Sequence, residues 1–149
     1  MIQWKEERII QANIEKVWEL FLDKNIKKTM TKVEEHILIE KSETEVGAKH
    51  QQTYREGKRV ETFIVETLAY ENTPQKKHKK ITFVLGKAFE ITLGFTLQRV
   101  DVQHTKFIYE GKNEGVNFVG RAMLKLGSEK SNHKVVQEYL DRVEAEALK

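Results

Sequence analysis

The chain has 149 residues, 39% of them hydrophobic and 33% charged, with eight glycines, one proline (Pro74) and a formal net charge of +3. That is the profile of one soluble globular domain spanning 1–149, with enough chain to bury roughly 68–70% of its unfolded surface. Cysteine is absent, which excludes a disulfide framework, a thiol nucleophile, a cysteine-based zinc site and an Fe–S cluster. The longest uncharged run, Ile91 to Gln98, is far short of the roughly 20 apolar residues of a membrane span, and no secretory leader pattern is visible at Met1 to Glu7. The expected location is therefore cytoplasmic.

Ile2 to Gln11 alternates as a strand, with Ile2, Trp4 and Ile10 on one parity. The period then changes: Ile14, Val17, Trp18, Phe21 and Leu22 share one helical face, with Asn13 as N-cap. A second short helix is expected over Lys24 to Met30, with Ile26 and Met30 inward. Six strands follow: Val33 to Lys41, Ala48 to Arg55, Arg59 to Tyr70, Lys80 to Gly86, Phe89 to Val100 and His104 to Glu114. The turn-forming segments between them are short, which predicts an antiparallel meander. Phe89, Ile91, Leu93, Phe95 and Leu97 alternate with polar residues, so one face is apolar and the other wet. Ile81, Phe83 and Leu85, and then Phe107 and Tyr109, repeat that signal. Helical spacing returns at Phe118, Ala122, Met123 and Leu126, and again at Val136, Tyr139, Leu140, Val143 and Ala147. Gly127-Ser128 predicts a kink or break between two segments, with Ser128 as a cap for the second.

The predicted class is α+β: a curved antiparallel sheet of about seven strands wrapped around a long C-terminal helix, with two short helices after the first strand. Helix against concave sheet leaves room for a cavity of aliphatic and aromatic character, the usual character of a small-molecule pocket. The order of elements and the segment Ile9-Ile10-Gln11-Ala12-Asn13-Ile14-Glu15-Lys16-Val17-Trp18-Glu19-Leu20-Phe21 resemble the START-like helix-grip superfamily, also called SRPBCC. Val46-Gly47 where a strand begins, the Arg55-Glu56-Gly57-Lys58-Arg59 hairpin and the Gln103-His104-Thr105-Lys106-Phe107 turn add to the likeness. Asn13 stands where many members have proline and His104 where glycine is common. The resemblance implies a cavity between sheet and helix used for lipids, polyketides, hormones and, in some branches, aromatase or cyclase chemistry. It supplies no universal catalytic residue.

In the Ala48 to Arg55 strand, Lys49, Gln51, Thr53 and Arg55 read as solvent-facing, which turns His50, Gln52 and Tyr54 inward at a spacing of two. Such groups need hydrogen-bond partners from a ligand, from water, or from each other and nearby backbone. His50 and Tyr54 are the candidate catalytic residues, as general acid or base and as hydrogen-bond donor. In the next strand either Phe63 and Val65 or Thr62, Ile64, Glu66 and Leu68 face inward, depending on the length of the turn near Glu56-Gly57; the first set is preferred. The expected ligand-binding set is His50, Gln52, Tyr54, Phe63, Phe83, Phe95, Tyr109, Phe118 and Met123.

His36, His78, His104 and His133 lack partners at the spacing of a histidine metal site, and neither phosphate-loop nor dinucleotide motifs occur, so no metal or cofactor is expected. Twenty lysines against six arginines read as solubilising surface. The cluster Lys76, Lys77, Lys79 and Lys80 reads as an exposed loop without the stacking aromatics that nucleic-acid binding wants. The expected function is binding of a small hydrophobic molecule by a monomer or weak homodimer, without nucleic acid. The alternatives are a cyclase, dehydratase or hydrolase using His50 and Tyr54, or a protein-interaction role like that of the superfamily's chaperone-activator branch, through the lysine cluster.

Overall fold

The computed structural model describes residues 1–127 and 129–149. The chain runs β1 (Ile2–Ile10), α1 (Ile14–Trp18), two 3-10 turns (Glu19–Phe21 and Asp23–Asn25), α2 (Ile26–Thr29), β2 (Val33–Glu40), β3 (Lys49–Glu56), β4 (Arg59–Asn72), β5 (Lys76–Leu85), β6 (Phe89–Asp101), β7 (His104–Gly115), α3 (Phe118–Leu126) and α4 (Glu129–Ala147). The strands form one antiparallel sheet in the order β1-β7-β6-β5-β4-β3-β2. Short connections make β2 to β7 a meander, and β1 joins at the β7 edge. Among the described residues no helix is long and apolar enough to cross a membrane.

Asn13 caps α1 as expected: its side chain accepts from the Glu15 N–H at 2.9 Å. Ile14, Val17, Trp18 and Phe21 are buried on the face the spacing predicts; Leu22, expected on that face, is exposed, and Leu20 is buried in its place because the helix tightens to a 3-10 turn at Glu19–Phe21. The helix after Gly127 buries Val136, Tyr139, Leu140, Val143 and Ala147, again the residues its periodicity singles out. The break near Gly127 is present; the capping role expected for Ser128 lies outside the described residues.

The hairpin between β3 and β4 has two loop residues, with Glu56 opposite Arg59 and Gly57 at φ 62°. Even-numbered β3 residues therefore share a face with odd-numbered β4 residues, and Phe63, Val65 and Thr67 are buried while Ile64 is exposed. Irregularity at Leu68 reverses parity once more, so Tyr70 pairs with Lys79 and Asn72 with Lys77 on the inner face. This corrects the reading of Lys76 to Lys80 as an exposed loop. These residues open β5; Lys76 and Lys80 face solvent, but Lys77 is buried and its ammonium meets Glu15 at 3.0 Å and the Asn72 side chain at 2.5 Å.

The packed core lies at one end of the concave face. There Ile10, Ile14, Val17, Leu97, Phe107, Leu140 and Val143 are almost fully enclosed by β1, β6, β7, α1 and the second half of α4. Full burial of each such side chain contributes about 1.5–3 kcal/mol. Towards the other end Phe83, Leu85 and Ile91 are only partly buried, because α4 covers that stretch of sheet less closely.

Candidate functional site

At this loosely covered end, sheet and α4 flank a half-open cavity of about 330 Å³. Gln52 and Tyr54 of β3, Phe63 of β4, Phe83 and Leu85 of β5, Ile91 and Leu93 of β6 and Tyr109 of β7 form the sheet wall. Val135, Glu138, Tyr139 and Arg142 of α4, with residues 30–33, form the other. Phe63 and Phe83 stack at 4.9 Å between centroids, giving the wall a flat aromatic surface. Tyr109 and Tyr139 meet at 4.6 Å. Burial pushes both phenols well above the ordinary tyrosine value, since a phenolate there would lose its hydration.

The Tyr139 hydroxyl is buried and makes no hydrogen bond of ordinary geometry, with the Thr29 side chain as a polar neighbour. Such a group costs about 1–3 kcal/mol when left unsatisfied. The Arg142 guanidinium sits 5.7 Å from the Tyr139 ring centroid and is held by its Nε–H donating to the Thr29 carbonyl at 2.8 Å.

The inward polar row of β3 is real, but its members are separated. The Tyr54 hydroxyl donates to Glu56 at 2.6 Å, and burial with the Glu56 charge pushes the phenol up to about 12. His50, four residues back, turns to a different neighbourhood. A bulge after Val33 places both Val33 and His36 on the inner face of β2, opposite Tyr54 and Gln52. His36 and His50 stack at 4.5 Å, and each presents Nε2 to the Asp23 carboxylate, at 3.1 and 2.9 Å. His36 Nδ1 lies 2.8 Å from the Gln52 side-chain oxygen. Hydrogen bonds from His36 and then His50 hold the Asp23 carboxyl well below the usual carboxylate range, against the opposing effect of burial. Beside them His36, His50, Gln52, Thr67 and Lys79 line a pocket of about 20 Å³. Burial lowers the Lys79 ammonium from its ordinary value.

Of the residues expected to bind ligand, Gln52, Tyr54, Phe63, Phe83 and Tyr109 line the larger cavity and His50 lines the small pocket. Phe95 is 2% exposed and packs into the core against Phe21 at 5.3 Å. Phe118 and Met123 are corrected: they are 82% and 53% exposed and do not reach the cavity. The reason is that α3 docks through Gly120, whose added Cβ would sit 2.1 Å from the Ala88 carbonyl oxygen. That contact fixes the helix rotation, and Phe118, about 200° away around the axis, points outward. Sequence reasoning missed Asp23, which no motif marks, His36, read as unpartnered, and Tyr139, read only as core. No spacing rule links Asp23 to His50, which are 27 residues apart.

No family model and no curated protein matches the sequence. Solved structures match across nearly the whole chain. Ara h 8.0201 superposes with a TM-score of 0.70 at 11% identity, covering 98% of this chain and 97% of that one. The Zhui aromatase/cyclase from Streptomyces sp. R1128 gives 0.71 at 12% identity, covering 97% and 92%. A conserved protein from Geobacillus kaustophilus gives 0.69 at 14% identity, covering 99% and 95%. At these identities the likeness is one of fold.

Proposed function

We propose that this chain, which has the helix-grip fold of the START-like superfamily, binds a small, mostly apolar molecule bearing a hydroxyl or carbonyl group in the cavity between β3–β7 and α4. An aromatic or polyketide-like compound fits this description best. The observation that carries the reading is the Tyr139 hydroxyl, a buried group that makes no hydrogen bond of ordinary geometry, on a residue lining a cavity whose wall is mainly aromatic and aliphatic. A ligand oxygen would satisfy it, while the Phe63–Phe83 pair offers a stacking surface. A cavity of about 330 Å³ is at the small end for ligand sites, which favours a compact ring system over a long-chain lipid. The aromatase/cyclase among the fold neighbours supports the same ligand class.

An enzyme built on His50 and Tyr54 as a pair lacks comparable support. Their Cα atoms stand about 13 Å apart along β3, and each side chain is already bonded, to Asp23 and Glu56 respectively. The chaperone-activator-like reading loses its surface where Lys77 and Lys79 turn inward.

The test is native mass spectrometry of the protein as purified, with displacement of an anilinonaphthalene dye by 2-naphthol. Saturable displacement at one molecule per chain, lost in Phe83→Glu, is expected. Dye binding that 2-naphthol does not displace, or that Phe83→Glu leaves unchanged, would overturn the proposal.

A further inference from the structure

We propose that Asp23, His36 and His50 form a binding site for a first-row divalent cation, with Zn²⁺ the ion to try first. The three side chains come from three separate elements, the 3-10 turn Asp23–Asn25, β2 and β3, and their donor atoms lie within 4.8 Å of one another. Two imidazole nitrogens and a carboxylate oxygen are the donor set of open, three-ligand zinc sites. Tetrahedral bonds of about 2.0–2.1 Å to such an ion place its ligand atoms roughly 3.3–3.4 Å apart. The Nε2-to-carboxylate separations, 3.1 Å from His36 to one oxygen and 2.9 Å from His50 to the other, are shorter than that by only about 0.2–0.5 Å, an opening within reach of small side-chain rotations at the half-exposed Asp23.

Proton accounting at His36 points the same way. Nδ1 faces the Gln52 amide oxygen at 2.8 Å and Nε2 faces an Asp23 oxygen at 3.1 Å, so both ring nitrogens address acceptors. A neutral imidazole carries one N–H. With that proton on Nδ1, donated to Gln52, the Nε2 lone pair is left facing the carboxylate as a second ligand to a shared cation would; an imidazolium donating to both acceptors satisfies the same contacts with a proton in the cation's place. In the cation-bound arrangement Gln52 is the outer partner that sets the tautomer and aims the ring.

The imidazoles are 6% and 5% exposed, whereas Asp23 is 44% exposed and leaves a path for an ion to enter. The adjoining space of about 20 Å³ holds one water, enough for a further ligand. Lys79 lines that space and opposes a cation there. The site is distinct from the cavity proposed for the organic ligand, although Gln52 and Met30 border both.

The test is calorimetric titration of the untagged, chelator-stripped chain with Zn²⁺, paired with the visible spectrum of the Co²⁺-loaded chain. One ion per chain is expected, with a Co²⁺ spectrum changed from that of the aqueous ion. Asp23→Asn, at a half-exposed turn, and His36→Gln should each weaken binding by about 100-fold or more, and Gln52→Leu by about 10–100-fold. Lys79→Met should tighten it. His104→Ala, at the separate His104–Asp101 surface pair, should leave it unchanged. A Co²⁺ spectrum identical to the aqueous ion, or Zn²⁺ affinity unaltered in both Asp23→Asn and His36→Gln variants of native circular dichroism, would overturn the site.

Discussion

The rings of Tyr109 on β7 and Tyr139 on α4 lie 4.6 Å apart, and this contact joins sheet to helix where the packed core gives way to the cavity. Tyr139→Phe keeps the ring and removes the unpartnered hydroxyl. The ligand-free protein should then be as stable as before or up to about 1 kcal/mol more so, because no bond is lost and a buried polar group is gone. Affinity for 2-naphthol should fall several-fold. Paired urea denaturation and dye displacement check both signs, and a loss of stability would mean that the hydroxyl has a partner.

Alkaline pH should unfold the protein cooperatively. Tyr54, Tyr109 and Tyr139 hold their protons more tightly folded than unfolded, chiefly through burial. Their contribution is complete below about pH 10, where unfolded tyrosines remain protonated, and is lost as pH rises through the folded values. For Tyr54 that value is about 12. Phenolate absorbance followed alongside circular dichroism should show Tyr109 and Tyr139 ionising only with the loss of structure.

The lysine cluster should divide by parity. Lys76 and Lys80 face solvent, so the double charge reversal Lys76→Glu with Lys80→Glu should fold normally. Lys77→Glu places a carboxylate beside Glu15 and Asn72 in a site 2% exposed, and should cost about 3–5 kcal/mol. Lys77→Met should be close to neutral. Thermal melts of the three variants distinguish an inward lysine from a solvated one.

Gly120 and Phe118 should differ in sensitivity. Gly120→Ala drives a methyl into the Ala88 carbonyl and should destabilise by about 1–3 kcal/mol. Phe118→Ser, at a residue 82% exposed, should stay within about 0.5 kcal/mol. Denaturant midpoints measure both, and a large effect of Phe118→Ser would show that this ring packs inward after all.

These contrasts also mark where the sequence is legible. Strands with one apolar parity, such as Phe89 to Leu97, and a helix with one apolar stripe, such as α4, declare their type and their core face, but the parity of β6 expected to be wet is buried as well at Thr92, Gly94 and Thr96. Periodicity locates a face but not what it meets: α3 is amphipathic, yet the Gly120 contact turns Phe118 outward. Composition averages over faces, so Lys77 was hidden among lysines that do face water. Single irregularities, after Val33 and at Leu68, reversed parity without any turn residue to announce them. The Asp23–His36–His50 cluster depends on the first of these and on a tertiary contact between a turn and an edge strand, which no local pattern encodes.

The central claim, a ligand site between sheet and helix, is tested most directly by backbone amide NMR of the full chain titrated with 2-naphthol. The account predicts saturable shifts at one molecule per chain, concentrated at Gln52, Phe63, Phe83, Leu93, Tyr109 and Tyr139. Shifts confined to the exposed face of α3 around Phe118 and Met123, or none that saturate, would contradict it.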